Sequence, residues 1–209
     1  MNGVVEFISK GGPAMWVIAA LSVGTLALIL WKLWRLSLAG AWSGGAAERA
    51  VTLWSEGRAD AARSAVAGRR TWRARLALAA MAARQEMPEA AAREETERIA
   101  RALLAEARTG IRVLELVATI APLLGLLGTV LGMIAAFQTL QEAGARADPS
   151  ALAGGIWEAL LTTAAGMAVA IPAGIAQSWF ESIADGLQTD MEDHATRIFT
   201  RGGGSAHGG

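Results

Sequence analysis

The sequence predicts an all-α membrane protein: three transmembrane helices, with the second and third extended into a cytoplasmic helical bundle. Three observations point there. Long apolar runs alternate with charged, alanine-rich stretches. Each run reaches the ~20 residues that a helix rising 1.5 Å per residue needs to cross a ~30 Å hydrocarbon layer. Tryptophans and basic residues gather at the ends of the runs, as they do at membrane interfaces.

Composition removes several alternatives. The 209 residues carry 19 basic and 19 acidic side chains and no cysteine. Zero net charge gives no footprint for nucleic acid. The missing cysteines exclude disulfides, thiolate catalysis and cysteine-type zinc sites. His194 and His207 are too few for a metal centre, so no metal and no cofactor is expected. No nucleophile–base pair is visible, and "GLLGTVLG" lacks the GK[ST] of a phosphate loop. The chain is not expected to be an enzyme.

Taken in order, residues 1–13 place Val4, Val5, Phe7 and Ile8 beside Glu6 and Lys10, an amphipathic segment for the outer interface. Residues 14–36 form the first span. Trp16 stands ~22–27 Å from Trp31 and Trp34 along a helix, the separation of two aromatic belts, and Lys32 and Arg35 are placed to snorkel. A cleaved signal peptide is the rival, since "AGA" at 39–41 mimics a cleavage site. The run is too long for a signal core, and Lys32 and Arg35 intrude before the site.

Residues 37–111 form a charged helical domain. "ERAVTLWSEGRADAARSAVAG" and "TWRARLALAAMAARQ" read as two short helices broken near Gly68. A longer helix starts at "MPEAAAREE", with Pro88 at its first position and early glutamates that suit the helix dipole. Gly110 alone is a weak breaker, so this helix should run into the second span, 112–140. A loop at 141–154 carries Gly144, Asp148 and Pro149, and the third span follows at 155–179. Residues 180–201 continue as a cytoplasmic helix with Phe180, Ile183, Leu187, Met191, Ile198 and Phe199 at helical spacing. Residues 202–209 are a glycine-rich tail.

Charge sets the orientation. Lys32, Arg35, Arg101, Arg108 and Arg112 flank one side, against Lys10 and Arg146 on the other. The basic excess belongs to the cytoplasm, so the N-terminus faces out and the C-terminus in.

The stretch "APLLGLLGTVLGM" holds three glycines where a water-exposed helix would lose ~1 kcal/mol for each. Small residues let helices approach closely in lipid, where no hydrophobic force joins them. Gly128, Gly132 and Ala136 form one row, with Ala121, Gly125 and Thr129 beside it. The third span answers with Ala159, Thr163, Gly166, Ala170 and Gly174. Helix packing accounts for Gly125, Gly128, Gly132 and Gly166.

Thr129, Thr163 and Glu158 raise a further prospect. Measured from the outer ends of their spans, Thr129 lies ~14 Å deep and Thr163 ~12 Å, so two hydroxyls meet at one level. Each could instead satisfy itself on its own helix's carbonyls. Glu158 is the only ionisable residue within the third span. An intramembrane carboxylate usually faces a bundle interior or a wet cavity. A polar track from Glu158 down to the threonines is the proton pathway these positions support. Thr162 lies one turn below Glu158 on the same face. No acid or base sits at midplane, so a partner would have to bring one.

"APLLGLLGTVLGM" followed by "GGIWEALLTTAAGMAVAIPA" closely resembles the MotA/TolQ/ExbB proton channel family, the ExbB/TolQ branch in particular. The resemblance covers about the last hundred residues. It implies a bacterial inner-membrane homo-oligomer, a pentameric ring, enclosing an ExbD/TolR-type one-span partner that carries a membrane aspartate. A TonB-like or TolA-like protein would receive the work. Thr129 and Thr163 match the family's pore threonines and Glu158 its "EALL" glutamate. Thr162 is alanine in many members. A non-conducting oligomeric scaffold is the alternative.

Overall fold

The computed structural model describes residues 12–143 and 149–201. Among them lie seven helices and no strand: α1 (Gly12–Leu38), α2 (Gly45–Ser55), α3 (Ala59–Val66), α4 (Trp72–Glu86), α5 (Glu89–Arg108), α6 (Ile111–Ala143) and α7 (Pro149–Arg201). Three helical stretches are long and apolar enough to cross a membrane: Gly12–Leu38, Glu89–Glu142 and Leu152–Thr200. The protein is an all-α membrane protein. The amphipathic reading of residues 1–11, the centre of the outer loop at 144–148 and the tail at 202–209 lie outside the described residues. The rest of the expected loop is helical, divided between the end of α6 and the start of α7.

The chain divides into two compact units. The first comprises residues up to Trp31 together with Gly110–Ser178. Its interior is built from small and β-branched side chains. Ile18 of α1 meets Val117 and Ala121 of α6 and Val169, Ala170 and Ala173 of α7. The outward faces keep their large apolar groups exposed: Val23 and Leu26 on α1, Leu123 and Leu127 on α6, Ile171 and Ile175 on α7. A helix that is apolar all round suits lipid or a neighbouring subunit rather than water. Pro122 and Pro172 sit inside α6 and α7 without ending them; neighbouring helices tolerate such prolines in membranes.

The second unit comprises Lys32–Thr109 and the chain from Trp179 onward. Ala50, Val51 and Trp54 of α2 and Ala62 and Val66 of α3 pack with Ala74, Ala77, Ala80 and Met81 of α4 and Ile198 of α7. The Trp54 indole Nε1–H donates to the Ile198 carbonyl at 3.1 Å, occupying one of the four acceptors a helix C-terminus leaves free. Arg73, nearly buried, donates to Asp190 at 2.7 Å and to the Ala41 carbonyl at 2.8 Å. Arg197 donates to Glu48 at 2.7 Å and to Asp193 at 3.3 Å. His194 Nε2 lies 3.2 Å from the second Glu48 oxygen. The Arg197 hydrogen bond holds the Glu48 carboxyl below its usual range, against the opposing effect of partial burial; the charges of Arg197 and His194 act the same way.

Three details differ from the expectations. The helix expected at the start of the charged domain is two, parted at Gly57, whose φ is +77°. The run expected to be continuous from near Glu89 turns at Thr109–Gly110, where Gly110 has φ +86°. A side chain at that φ is strained, and a Cβ there would meet Leu28 and Trp31 at 3.3 and 3.4 Å. The break frees carbonyls, and Lys32 takes them. Lys32 does not snorkel: it is 1% exposed and its ammonium donates to the carbonyls of Ala107 and Thr109. A cation on the last carbonyls of a helix is also favoured by the helix dipole.

Candidate functional site

The hairpin of α6 and α7 packs through its glycines. A Cβ on Gly125 would lie 2.9 Å from both the Thr162 carbonyl oxygen and the Thr163 Cα. One on Gly166 would lie 2.5 Å from the Ala121 carbonyl oxygen and 3.1 Å from the Gly125 Cα. Gly132 faces Ala159 at 3.1 Å. At Gly125 and Gly166 the nearest atoms are backbone, which cannot swing aside; at Gly132 the nearest is the Ala159 Cβ. A Cβ on Gly128 would instead meet side chains, the Thr162 hydroxyl at 2.6 Å and the Ala14 Cβ at 3.1 Å, so all four glycines selected from the sequence lie at close helix approaches.

The same contacts define an antiparallel register. Gly132 opposes Ala159, Gly125 opposes Thr162 and Thr163, and Gly166 opposes Ala121. In that register Thr129 and Thr163 differ in height by about 1.5 Å counted from the Gly132–Ala159 contact and by about 6–7.5 Å counted from the Gly125–Thr163 and Gly166–Ala121 contacts. They stand within roughly one helical turn of each other in height.

Their surroundings are distinct. The Thr129 hydroxyl is half-buried and donates to the Leu126 carbonyl of its own helix at 2.7 Å. Thr129 lines an open, mostly apolar cleft along one face of α6 with Val130, Met133, Ile134, Phe137 and Gln138. Thr163 is half-buried, its backbone against Gly125. Glu158 is exposed, next to Trp157, which is also exposed.

Thr162 is the residue that sequence reasoning undervalued. It is 2% exposed, and its hydroxyl lies 2.7 Å from the Ala159 carbonyl and 3.1 Å from the Gly125 carbonyl across the interface. The one hydroxyl proton is shared between a carbonyl of its own helix and, at longer range, one across the interface, so Thr162 links the two helices where they approach closely around Gly125 and Gly128. A signal was present. Ala159, Thr162, Gly166, Val169, Ala170 and Ala173 are all buried, recurring every three or four residues on one face. Thr163 is turned one residue, ~100°, from that seam.

The sequence profile of the MotA/TolQ/ExbB proton channel family matches residues 68–193. The chain belongs to this family. The matched stretch begins before α4 and ends inside α7, so it includes the whole hairpin. Family relatives include biopolymer transport protein exbB1 of Vibrio cholerae, 48% identical over 65 residues, which are 31% of this chain and 28% of that protein. Putative biopolymer transport protein ExbB-like 1 of Synechocystis is 52% identical over 69 residues, 32% of this chain and 27% of the relative. Biopolymer transport protein ExbB of Neisseria gonorrhoeae is 36% identical over 92 residues, 44% and 41% of the two chains. The chain thus spans well under half the length of these curated MotA/TolQ/ExbB relatives.

Proposed function

We propose that the chain is the channel-forming subunit of a proton-driven motor of the ExbB/TolQ type in a bacterial inner membrane. Its N-terminus is periplasmic and its C-terminus cytoplasmic. Copies of the chain form a ring, a pentamer by family resemblance, around an ExbD/TolR-type one-span partner that contributes a membrane aspartate. Thr129 and Thr163 face that carboxyl group as hydroxyl partners, and Glu158 attracts protons at the periplasmic mouth. Each protonation removes the aspartate's charge, and with it the cost of placing the partner helix against the apolar wall. The partner helix then shifts its contacts, and the motion is delivered to a TonB-like or TolA-like protein for biopolymer uptake or Tol-type envelope work.

The observation that carries this reading is the family match over the stretch that holds Thr129 and Thr163, which lie within roughly one helical turn of each other in height across the hairpin. The open cleft beside Thr129 supports it, as do the large apolar side chains exposed on the same helix. A hydroxyl can accept a hydrogen bond from a protonated carboxyl and donate one to the carboxylate, so it serves both states of the aspartate. One observation favours the scaffold reading: the Thr129 hydroxyl already has a partner in Leu126, so its presence does not demand a proton path.

Proton flux separates the two. In proteoliposomes holding the chain with its acidic one-span partner, Thr129→Ala and Thr163→Ala should abolish proton-driven flux while the complex still copurifies. Undiminished flux in both variants removes the role assigned to the threonines. A wild-type complex that conducts nothing under any gradient favours the scaffold.

A further inference from the structure

Within the second unit, three guanidinium groups converge on a cleft of about 400 Å³. Arg35 comes from the end of α1, Arg70 from the turn before α4, and Arg75 from the first turn of α4. The opposite wall carries Glu106 of α5, and Leu38 and Trp72 supply apolar surface. Glu106 lies 3.4 Å from Arg35 and 3.3 Å from Arg75. One carboxylate faces three arginines, so the cleft keeps a strong positive excess. Its volume is within the range of small-molecule sites.

The position of the cleft selects the ligand. Arg35 and Leu38 stand where the first apolar span ends. Trp34, Leu38 and Trp42 are 63%, 62% and 59% exposed there. Trp42 stacks at 6.5 Å on Trp179, which is also exposed and lies at the end of the third apolar run. Exposed tryptophans at the ends of two apolar runs mark the headgroup level of a bilayer. Leu38 belongs both to the cleft and to this exposed apolar surface. A ligand there has a phosphate for the arginines and hydrocarbon for the leucine and tryptophans.

We propose that this cleft binds the phosphate headgroup of an anionic phospholipid from the leaflet into which the end of α1 emerges. Arg70 and Arg75, both exposed, form charge-assisted hydrogen bonds to the phosphodiester oxygens, a geometry that the planar guanidinium fork suits. Arg35 adds charge from the cleft wall. Glu106 orients Arg35 and Arg75; burial pushes its carboxyl up, but the Trp72 indole and these two arginines together hold it below the ordinary range. Acyl chains run along Leu38 and Trp34. A free phosphorylated solute would satisfy the arginines but leave the apolar wall uncovered. The site is independent of whether the hairpin conducts protons.

The test uses the full chain in nanodiscs of phosphatidylcholine with a minor share of phosphatidylglycerol, with retained lipids counted by native mass spectrometry. Wild-type protein should retain phosphatidylglycerol over phosphatidylcholine, and the double variant R70Q/R75Q should lose roughly tenfold of that preference. The double variant R49Q/R58Q removes the same charge from exposed positions outside the cleft and should behave as wild type. Soluble glycerol phosphate should not displace the lipid. The single variant Arg70→Gln leaves the Arg75–Glu106 pair in place and should itself lower the preference severalfold, which keeps the test decisive if the double variant unfolds. No preference in the wild type, an unchanged R70Q, or equal losses in both double variants overturns the site. Displacement by glycerol phosphate overturns the lipid in favour of a soluble phosphate.

Discussion

Replacing Gly125 by alanine tests the hairpin where backbone meets backbone beside the Thr162 hydrogen bond. The added Cβ would lie 2.9 Å from the Thr162 carbonyl oxygen and 2.9 Å from the Thr163 Cα. Both neighbours are backbone, so no side chain can swing away. Ordinary carbon contacts need about 3.5–4.0 Å, so the helices must part locally by roughly 0.5–1 Å. The Thr162 hydroxyl, 3.1 Å from the Gly125 carbonyl, would then pass beyond hydrogen-bonding range. Overpacking costs about 1–3 kcal/mol and the lost interhelical hydrogen bond about 0.6 kcal/mol. The total is roughly 2–4 kcal/mol, a drop of several degrees in melting temperature for a chain of this size. Gly174→Ala is the matched control: its Cβ would meet only Ala118, at a comfortable 3.7 Å. It should be neutral or slightly stabilising, since alanine is the better helix former. Thermal unfolding in detergent, followed by circular dichroism, measures both. A Gly125→Ala protein as stable as wild type, or a Gly174→Ala protein equally damaged, would refute the close-packed register.

Three further outcomes follow from the same contacts. Lys32→Met keeps the length and apolar stem but leaves the Ala107 and Thr109 carbonyls without their donor; it should cost about 1–3 kcal/mol and raise amide exchange around the Thr109–Gly110 turn, and unchanged exchange there would dismiss the capping role. Thr162→Val should destabilise the hairpin by about 0.6–1.7 kcal/mol, with Thr162→Ser close to wild type; equal stability of valine and threonine in detergent melts would show that the hydroxyl contributes nothing. Glu48 has a lowered folded-state pKa, so its contribution is complete above the unfolded-state value and fades as pH falls through the folded one. Wild-type protein should therefore lose stability relative to Glu48→Gln only on the acid side of about pH 4.5. The pair is half-exposed, so the difference should stay below about 1 kcal/mol, and a difference that grows toward neutral pH would contradict the sign.

Much of the architecture was legible in the amino-acid order. The three apolar runs identify themselves because transfer into lipid is a local sum over ~20 consecutive side chains, whatever they touch. The long extension of the third helix follows from its unbroken helical spacing, and α7 does run to Arg201. The glycines selected for packing do lie at the α6–α7 approaches, since small residues on facing rows have few other uses in lipid. The heights of Thr129 and Thr163 could be counted only to within about a turn from the ends of their spans, because the stagger of the two helices is fixed by their contacts and not by the rise per residue.

Tertiary structure decided the rest. Adjacent threonines differ by ~100° about the helix axis, and which of Thr162 and Thr163 enters the seam depends on how α7 rotates to meet Gly125 and Gly128. That rotation is a property of the packed pair, absent from either span alone. The fate of Lys32 depends on carbonyls 75 and 77 residues away, exposed by a turn whose glycine was too weak a local sign to predict it. The arginine cleft likewise draws its charges from three separate segments. Hydropathy is additive along the chain and survives in the sequence; helix rotation and long-range hydrogen bonding exist only once the helices are packed.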